Sequence, residues 1–401
     1  MRVEEVTDRA RLAALQGPWR KLIESAPQGD MFQTCEWVTS WLDCFWIDRP
    51  ISFLFVWEGE ELVGLAPLLR DRDATVACRN SMSLPVNAHS RRLGVLYKGD
   101  PSAVLKAILE HARTSGQTVR LTLRQSLEDA PLPSVLPIVA RRMQLASMQL
   151  PSRICPFVRI DSTWEEYLAS RPAQVSRELK RKVRKIERDW KAVWTIASTP
   201  AECARAMDDI RAIERKSWKE GNGTSLTAEQ SAVRLYEDFA PRFAQAGWLR
   251  IYLLHLDGVP VAHILGAEFR REYYALKTSY DQDFRLASPG QALFFTALKD
   301  SFERKLTAFD FLGDESRWKS ELANAERRHV DVCAHSRFDP HCSWHTLLET
   351  TLKPLAKELA PGLVALRNRF RPPAPAKAPP GSPPPPPVVR SPEDPPLRQA
   401  G

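Results

Sequence analysis

The chain lacks the signatures of several large enzyme classes. It has no G-x-x-x-x-G-K-[ST] loop, no H-E-x-x-H, no G-x-S-x-G and no G-x-G-x-x-G after a strand pattern. Nucleotide hydrolysis, zinc proteolysis and serine hydrolysis are disfavoured accordingly. Its seven cysteines, at 35, 44, 78, 155, 203, 333 and 342, are odd in number and form no C-x-x-C pair. Neither a disulfide framework nor a zinc knuckle follows, so they are expected as reduced thiols, mostly buried. No apolar run approaches the roughly 20 residues that cross a bilayer. The opening M-R-V-E-E-V-T-D-R carries acids and no apolar core, unlike a secretory signal. The expected location is the cytoplasm.

What is present is ordinary in composition and uneven in distribution. The 401 residues are 43% hydrophobic and 26% charged, enough for two domains with substantial cores. A formal net charge of +8 favours acidic partners, whether phosphorylated cofactors, nucleic acid or an anionic membrane. Between Arg371 and Gly401 lie 13 of the 32 prolines, so this stretch is expected as an extended, disordered tail. Ahead of it, residues 341–370 carry Trp344, Leu347, Leu348, Leu352, Leu355, Leu359 and Leu363 near helical spacing, interrupted by Pro354 and Pro361. Such a helix either packs on its own domain or lies on a membrane, which would make the protein peripheral to the inner membrane. The tail and this helix are also where an envelope-assembly partner would dock.

The first 170 residues alternate helices and strands. Helices are expected around Trp19–Ser25, Cys35–Phe45, Ser102–Thr114 and Ser134–Leu145. Strands are expected at 51–57, 61–69, 118–123 and 154–160, a mixed α/β pattern. Arg171 to Lys191 then hold nine Lys/Arg against three Asp/Glu, with Val175, Leu179, Val183, Ile186 and Trp190 on one helical stripe. That helix either docks with a solvated basic back or contacts phosphate. In residues 171–340, helices at 200–219 and 228–246 precede strands at 249–256, 260–269 and 273–280. A crossover helix after Pro289 leads to strands at 308–312 and 328–338. This is an α+β order with a handed crossover.

The junction before that crossover helix bears most directly on function. Tyr273–Tyr280 reads as a strand, and Ser288, Pro289 and Gly290 stand where the helix begins. Pro289 suits a first helical turn, and Ser288 suits the cap. Gly290 leaves the backbone open to close approach. Unpaired N–H groups at a helix start form a ready phosphate cradle.

Y-D-Q-D-F-R-L-A-S-P-G-Q-A-L and F-D-F-L-G-D-E-S-R-W-K, in this order and spacing, resemble the GNAT-fold acyltransferases of the CelD/BcsL type, acetyltransferases associated with cellulose biosynthesis. F-Q-T-C-E-W, L-V-G-L-A-P-L-L, R-E-L-K-R-K-V-R-K and D-G-V-P-V-A-H agree, so the resemblance spans about Phe32 to Phe338. It implies tandem GNAT-like domains of α+β class, with mixed central sheets flanked by helices. Residues 1–170 would be a degenerate copy and 171–340 the acyltransferase domain. It implies acetyl-CoA or another acyl-CoA as donor, its pyrophosphate held by Arg285, Ala287, Ser288, Pro289, Gly290, Gln291 and Ala292. No metal is expected. Where the family commonly has Tyr before Lys, this chain has Trp318–Lys319, which puts a Tyr acid there in doubt.

Acyl transfer needs a polarised carbonyl, a nucleophile that loses a proton and a thiolate that may gain one. Candidate bases are His263, Glu268, Asp310 and Asp314; candidate acids are Tyr280 and Lys319. Each has a structural alternative: a core histidine, a salt bridge, or for Asp314 a helix cap. The acceptor stays open among small molecules, glycans and envelope precursors. A FemABX-type aminoacyl transferase using charged tRNA, or a non-catalytic module of a polysaccharide assembly complex, are the alternatives.

Overall fold

The apolar runs 51–57 and 61–69 close into a hairpin, with Ile51 opposite Leu69 and Phe55 opposite Leu65. All seven residues from Ile51 to Trp57 are buried, as befits a strand covered on both faces. The computed structural model describes residues 1–71, 81–90, 92–115, 120–217, 219, 229–313, 316–337 and 344. The helical segment and the proline-rich tail expected at 341–370 and 371–401, Trp344 apart, lie outside them, as does Asp314.

The first half runs β1 (Arg2–Val6), α1 (Arg9–Ala14), α2 (Gln16–Ser25), α3 (Cys35–Phe45), β2 (Ile51–Glu58), β3 (Glu61–Asp71), β4 (Ser81–Ser83), β5 (Leu96–Tyr97), α4 (Pro101–Thr114), β6 (Arg120–Leu127), α5 (Pro131–Arg142) and β7 (Ala146–Arg159). Helices α6 (Trp164–Ser170) and α7 (Ala173–Asp189) lead to the second half. It comprises β8 (Ala192–Ala197), α8 (Pro200–Arg215), α9 (Gln230–Gln245), β9 (Leu249–Leu256), β10 (Val259–Phe269), β11 (Glu272–Tyr280), α10 (Pro289–Glu303), β12 (Ala308–Asp310), α11 (Arg317–Leu322) and β13 (Ala325–His335).

The two halves repeat one plan. In each, an antiparallel meander is followed by a helical crossover to a short parallel pairing: β4 with β6, β11 with β12. One sheet contains both, in the order β1-β2-β3-β4-β6-β13-β7-β12-β11-β10-β9-β8, with β5 on β3. The last strands are exchanged: β13 of the second half pairs with β6 of the first, and β7 pairs with β12. Residues Met1–Trp344 are consequently one compact unit, and the boundary at 170/171 separates repeats rather than bodies. The α+β class and the tandem organisation expected from the sequence are present.

Aromatic contacts continue the core across the halves. Trp37 on α3 meets Phe239 and Phe243 on α9 at centroid distances of 5.4 and 6.3 Å, and Phe32 meets Tyr274 at 6.3 Å. Cys35, Cys44, Cys155, Cys203 and Cys333 are buried, free thiols. Among the described residues no helix is long and apolar enough to cross a membrane.

Two sequence expectations shift in detail. The edge strands β1 and β8 and the helix α6 had not been read. Their signals are short, and only α6 carries a clear one, the capping box Thr163–Glu166. Between β10 and β11 the register shifts at Leu265/Gly266, leaving Leu276 as a bulge. A Cβ at Gly266 would overlap the Tyr273 hydroxyl and the Tyr274 carbonyl oxygen. Gly266→Ala is therefore expected to cost about 1–3 kcal/mol by overpacking, read as a lower thermal midpoint.

Buried His329 adds a pH term. Burial, with Arg92 close by, lowers its pKa from 6.5 to about 4. The unfolded chain takes up this proton below pH 6.5 and the folded chain only near 4. Stability is thus full above about 6.5 and is lost as pH falls through that window.

Candidate active site

β11 and β12 run parallel for only three pairs, Glu272–Ala308, Tyr273–Phe309 and Tyr274–Asp310. β11 then continues to Tyr280, while the chain leaves β12. Asp310 ends that strand: its Oδ1 accepts the Leu312 N–H at 2.8 Å, and Leu312 takes a left-handed φ of 45°. Among the described residues the edge of β11 from Ala275 to Tyr280 is thereby left without a strand partner on this side.

Beyond β11 the chain runs to the start of α10. A 3₁₀ turn, Gln282–Ala287, precedes it, capped by Asp281 through the Asp283 N–H at 2.9 Å. Ser288 stands at the cap position of α10 with φ 55°, and its side chain makes no capping bond, contrary to the expected Ser288 cap. Pro289 has no N–H, so those of Gly290 and Gln291 are the first-turn donors without intrahelical acceptors. Gly290 serves packing as well: the Tyr280 ring lies 3.3 Å from where its Cβ would stand. Arg285 and Leu286 form the exposed lip, Leu286 being 82% exposed.

The basic helix α7 meets this cradle. Leu179 and Ile186 are buried, and Lys182 donates to the Gln291 side chain while pairing with Glu178 at 2.6 Å. Between α7, α10 and α11 lies a cavity of about 340 Å³, lined in part by Lys182, Gln291, Phe294, Arg317 and Trp318. Trp318 packs tilted against Phe294 and edge-on to Phe311, at centroid distances of 4.7 and 5.5 Å. Lys319 lies against Gly313, where a Cβ would stand 2.5 Å from its Nζ, just beyond β12.

A polar cluster occupies the opposite face of the sheet. His263 is fully buried, and its Nε2 lies 3.0 Å from Glu214 of α8, itself fully buried. The carboxylate only accepts, so Nε2 carries the hydrogen and Nδ1 keeps its lone pair. Among the described residues Nδ1 has no partner, and neither has the Oγ of Ser279, which stands directly opposite in register. Lys277, two residues back along β11, shares this face. Burial lowers the pKa of His263, and burial with Lys219 beside it lowers that of Lys277. The first half supplies His89, whose Nδ1 lies 3.3 Å from the Tyr236 hydroxyl and whose ring stacks on Phe45.

The candidates therefore separate. His263 is buried on the α8–α9 face, Tyr280 ends β11 against Gly290, and Lys319 lies on α11 against Gly313. Glu268 lies at the far end of β10, opposite Tyr273 and paired with Arg304 at 2.5 Å. Six residues separate it from Ala262, which faces Tyr280, or about 20 Å along the strand. Asp310 is fully buried between Arg92 and Arg327, which with burial opposing hold its carboxyl below the ordinary range. Both acids are engaged in structural ion pairs. Glu214 and Lys277 had not been singled out. Glu214 left a legible trace, a carboxylate on the stripe of Met207 and Ile210 in α8.

Comparisons with known proteins agree with this geometry. Residues 173–320 match the family model Acetyltransf_6, described as an acetyltransferase (GNAT) domain. No curated protein matches the sequence. The crystal structure of FemX is similar over 86% of this chain and 99% of that one, with a TM-score of 0.59 at 13% identity. A protein of unknown function from Bacteroides thetaiotaomicron is similar over 83% of this chain and 99% of that one, with a TM-score of 0.51 at 13% identity. At such identities the likeness concerns the fold. Residues 173–320 thus resemble a GNAT acetyltransferase domain, and the strand-exchanged first half repeats the plan of the second.

Proposed function

We propose that the protein is an acyl-CoA-dependent N- or O-acyltransferase, in the first instance an acetyltransferase. The acceptor is a small molecule, a glycan such as a cellulose-related polysaccharide, or an envelope precursor. The observation that carries this reading is the divergence of β11 from β12 after three pairs, beside the uncapped start of α10. There the pyrophosphate of CoA would meet the first-turn N–H groups of Gly290 and Gln291 and the positive end of the helix. Arg285 and Lys182 add charge, and the cavity beside Trp318 receives part of the donor. The thioester would lie along the free edge of β11, whose backbone N–H groups polarise the carbonyl.

The nucleophile would approach from the α8–α9 face. His263 Nδ1 removes its proton, and Glu214 holds the imidazole in the required tautomer. The new C–N or C–O bond forms as the C–S bond breaks. Tyr280 and Lys319, on the cradle side, are the candidates to protonate the departing thiolate. The docking of an acyl donor needs no metal in this scheme.

The test is ligand-dependent stability. Acetyl-CoA at a hundredfold excess over Kd is expected to stabilise the protein by about 2.7 kcal/mol, seen as a higher thermal midpoint. Gly290→Glu and Gln291→Glu, which place a carboxylate before the same N–H groups, are expected to remove that shift and the transfer activity. An unshifted midpoint with acetyl-CoA and longer acyl-CoAs would count against the reading.

A second reading has its own observation. Arg177, Lys180, Arg181, Arg184 and Arg188 lie exposed along α7 beside the donor cavity, and the fold is similar to FemX. A FemABX-like aminoacyl transferase using charged tRNA would place the RNA on this edge. Binding of tRNA that weakens steeply with salt would favour it.

A further inference from the structure

The polar cluster contains a cation whose partner is missing. Lys277 lies half-buried on the α8–α9 face of β11, and its Nζ faces the Tyr236 ring at 5.7 Å. Among the described residues it makes no hydrogen bond or ion pair. Its neighbours are otherwise committed. Lys219 donates to the Thr278 carbonyl, Glu214 holds His263, and Glu229 lies 3.6 Å from His89. A desolvated ammonium with only a ring for company is costly unless something pairs with it.

Two further groups on this face are buried and unsatisfied, His263 Nδ1 and Ser279 Oγ. The antiparallel register places Ser279 opposite His263 and Lys277 opposite Leu265. One sheet face thus carries, side by side, a lone pair suited to a proton, a hydroxyl, and an unpaired cation. Ser279 and Lys277 lie on the stretch of β11 that β12 has left, and His263 stands beside them on β10. His89 and Phe45 close the cluster from the first half.

We propose that this face is the acceptor subsite and that it selects an anionic acceptor, whose carboxylate or phosphate pairs with Lys277 while its amine or hydroxyl meets His263 Nδ1. The inference rests on the transferase reading for the role of His263; the anion site stands on the cluster itself. The Tyr236 ring under Lys277 keeps the ammonium in place before the acceptor arrives. Acceptors in which that group is amidated or absent would leave the cation desolvated and unpaired, so discrimination against them should be strong.

The experiment uses the full chain, with succinate and inorganic phosphate as probes in NaCl-matched ionic strength. One or both anions are expected to raise the thermal midpoint above the NaCl baseline, and the more effective one tells carboxylate from phosphate. Lys277→Met, which keeps the stem on Tyr236, should weaken that effect by about ten- to a hundredfold in anion concentration. Lys277→Arg should keep it, and the acetyl-CoA shift should survive in both variants. In the wild-type chain, either anion should slow reductive methylation of Lys277, followed by peptide mass mapping. An equal anion response in Lys277→Met, or methylation indifferent to both anions, overturns the proposal. Failure of acetyl-CoA alone to shift the wild type would sink the transferase reading and leave the anion site standing.

Discussion

His263→Gln is expected to lower kcat by about 10²–10⁴-fold, the range for loss of a positioned general base. Gln suits the test because its amide can still donate to Glu214, so no buried carboxylate is left without a partner. Alanine would confound catalysis with folding. The pH–rate profile carries a second signature. Burial lowers the His263 pKa beneath 6.5, opposed by its bond to Glu214. The imidazole is then neutral and able to accept a proton at pH 7, and the acid limb of kcat/KM is expected below pH 6.5. Glu214→Gln removes the carboxylate that raises this pKa, so the acid limb should move still lower while kcat falls. Glu214→Asp should restore part of the rate. A purely structural Glu214 would move neither limb.

Asp310→Asn is expected to destabilise the protein by about 3–5 kcal/mol, the cost of breaking a buried pair by removing one charge. On a per-residue basis that is a drop of about 4–7 °C in thermal midpoint. The reason lies in what Asp310 holds together. Its carboxylate accepts from Arg92 of the first half and from Arg327 of the exchanged strand β13. Arg327 in turn grips both Glu272 oxygens at 2.8 Å, and Arg92 also reaches Asp30 at 3.5 Å. Asn keeps the acceptor for Leu312 but leaves two guanidinium groups facing each other in the interior. The native carboxyl is depressed below its ordinary 3.8, so its contribution is present above that pH and lost as pH falls beneath it. Asn should therefore flatten the acid limb of the stability curve. Because Asp310 also ends β12 where that strand parts from β11, the variant is expected to weaken acetyl-CoA binding as well. An unchanged midpoint would show that the network contributes little.

These two residues mark how far the sequence could be read. Apolar runs at 51–57 and 61–69 gave their hairpin, turning at Gly59 with φ 59°, and Asp257–Gly258 turns the β9–β10 hairpin with φ of 50° and 84°. The start of α10 at Pro289 and the amphipathic α7 were legible for the same reason: each is specified by neighbours within a few residues. Asp310 and His263 were visible as candidates, but their roles were not. His263 acquires its tautomer from Glu214, 49 positions earlier, and Asp310 is bound by Arg92, 218 positions away.

What the sequence by itself determined is local: element type where periodicity is strong, the helix start at Pro289, the basic helix beside it, and an α+β plan. What only the tertiary structure decided is long-range. It placed β13 between β6 and β7, brought Lys277, Ser279 and His263 to one face, and sent Glu268 to the far end of β10. Capping, turns and amphipathic stripes are fixed by interactions a few residues apart and so are written in order along the chain. Strand exchange and buried charge pairing depend on which distant segments exclude water together, and no local pattern encodes that choice.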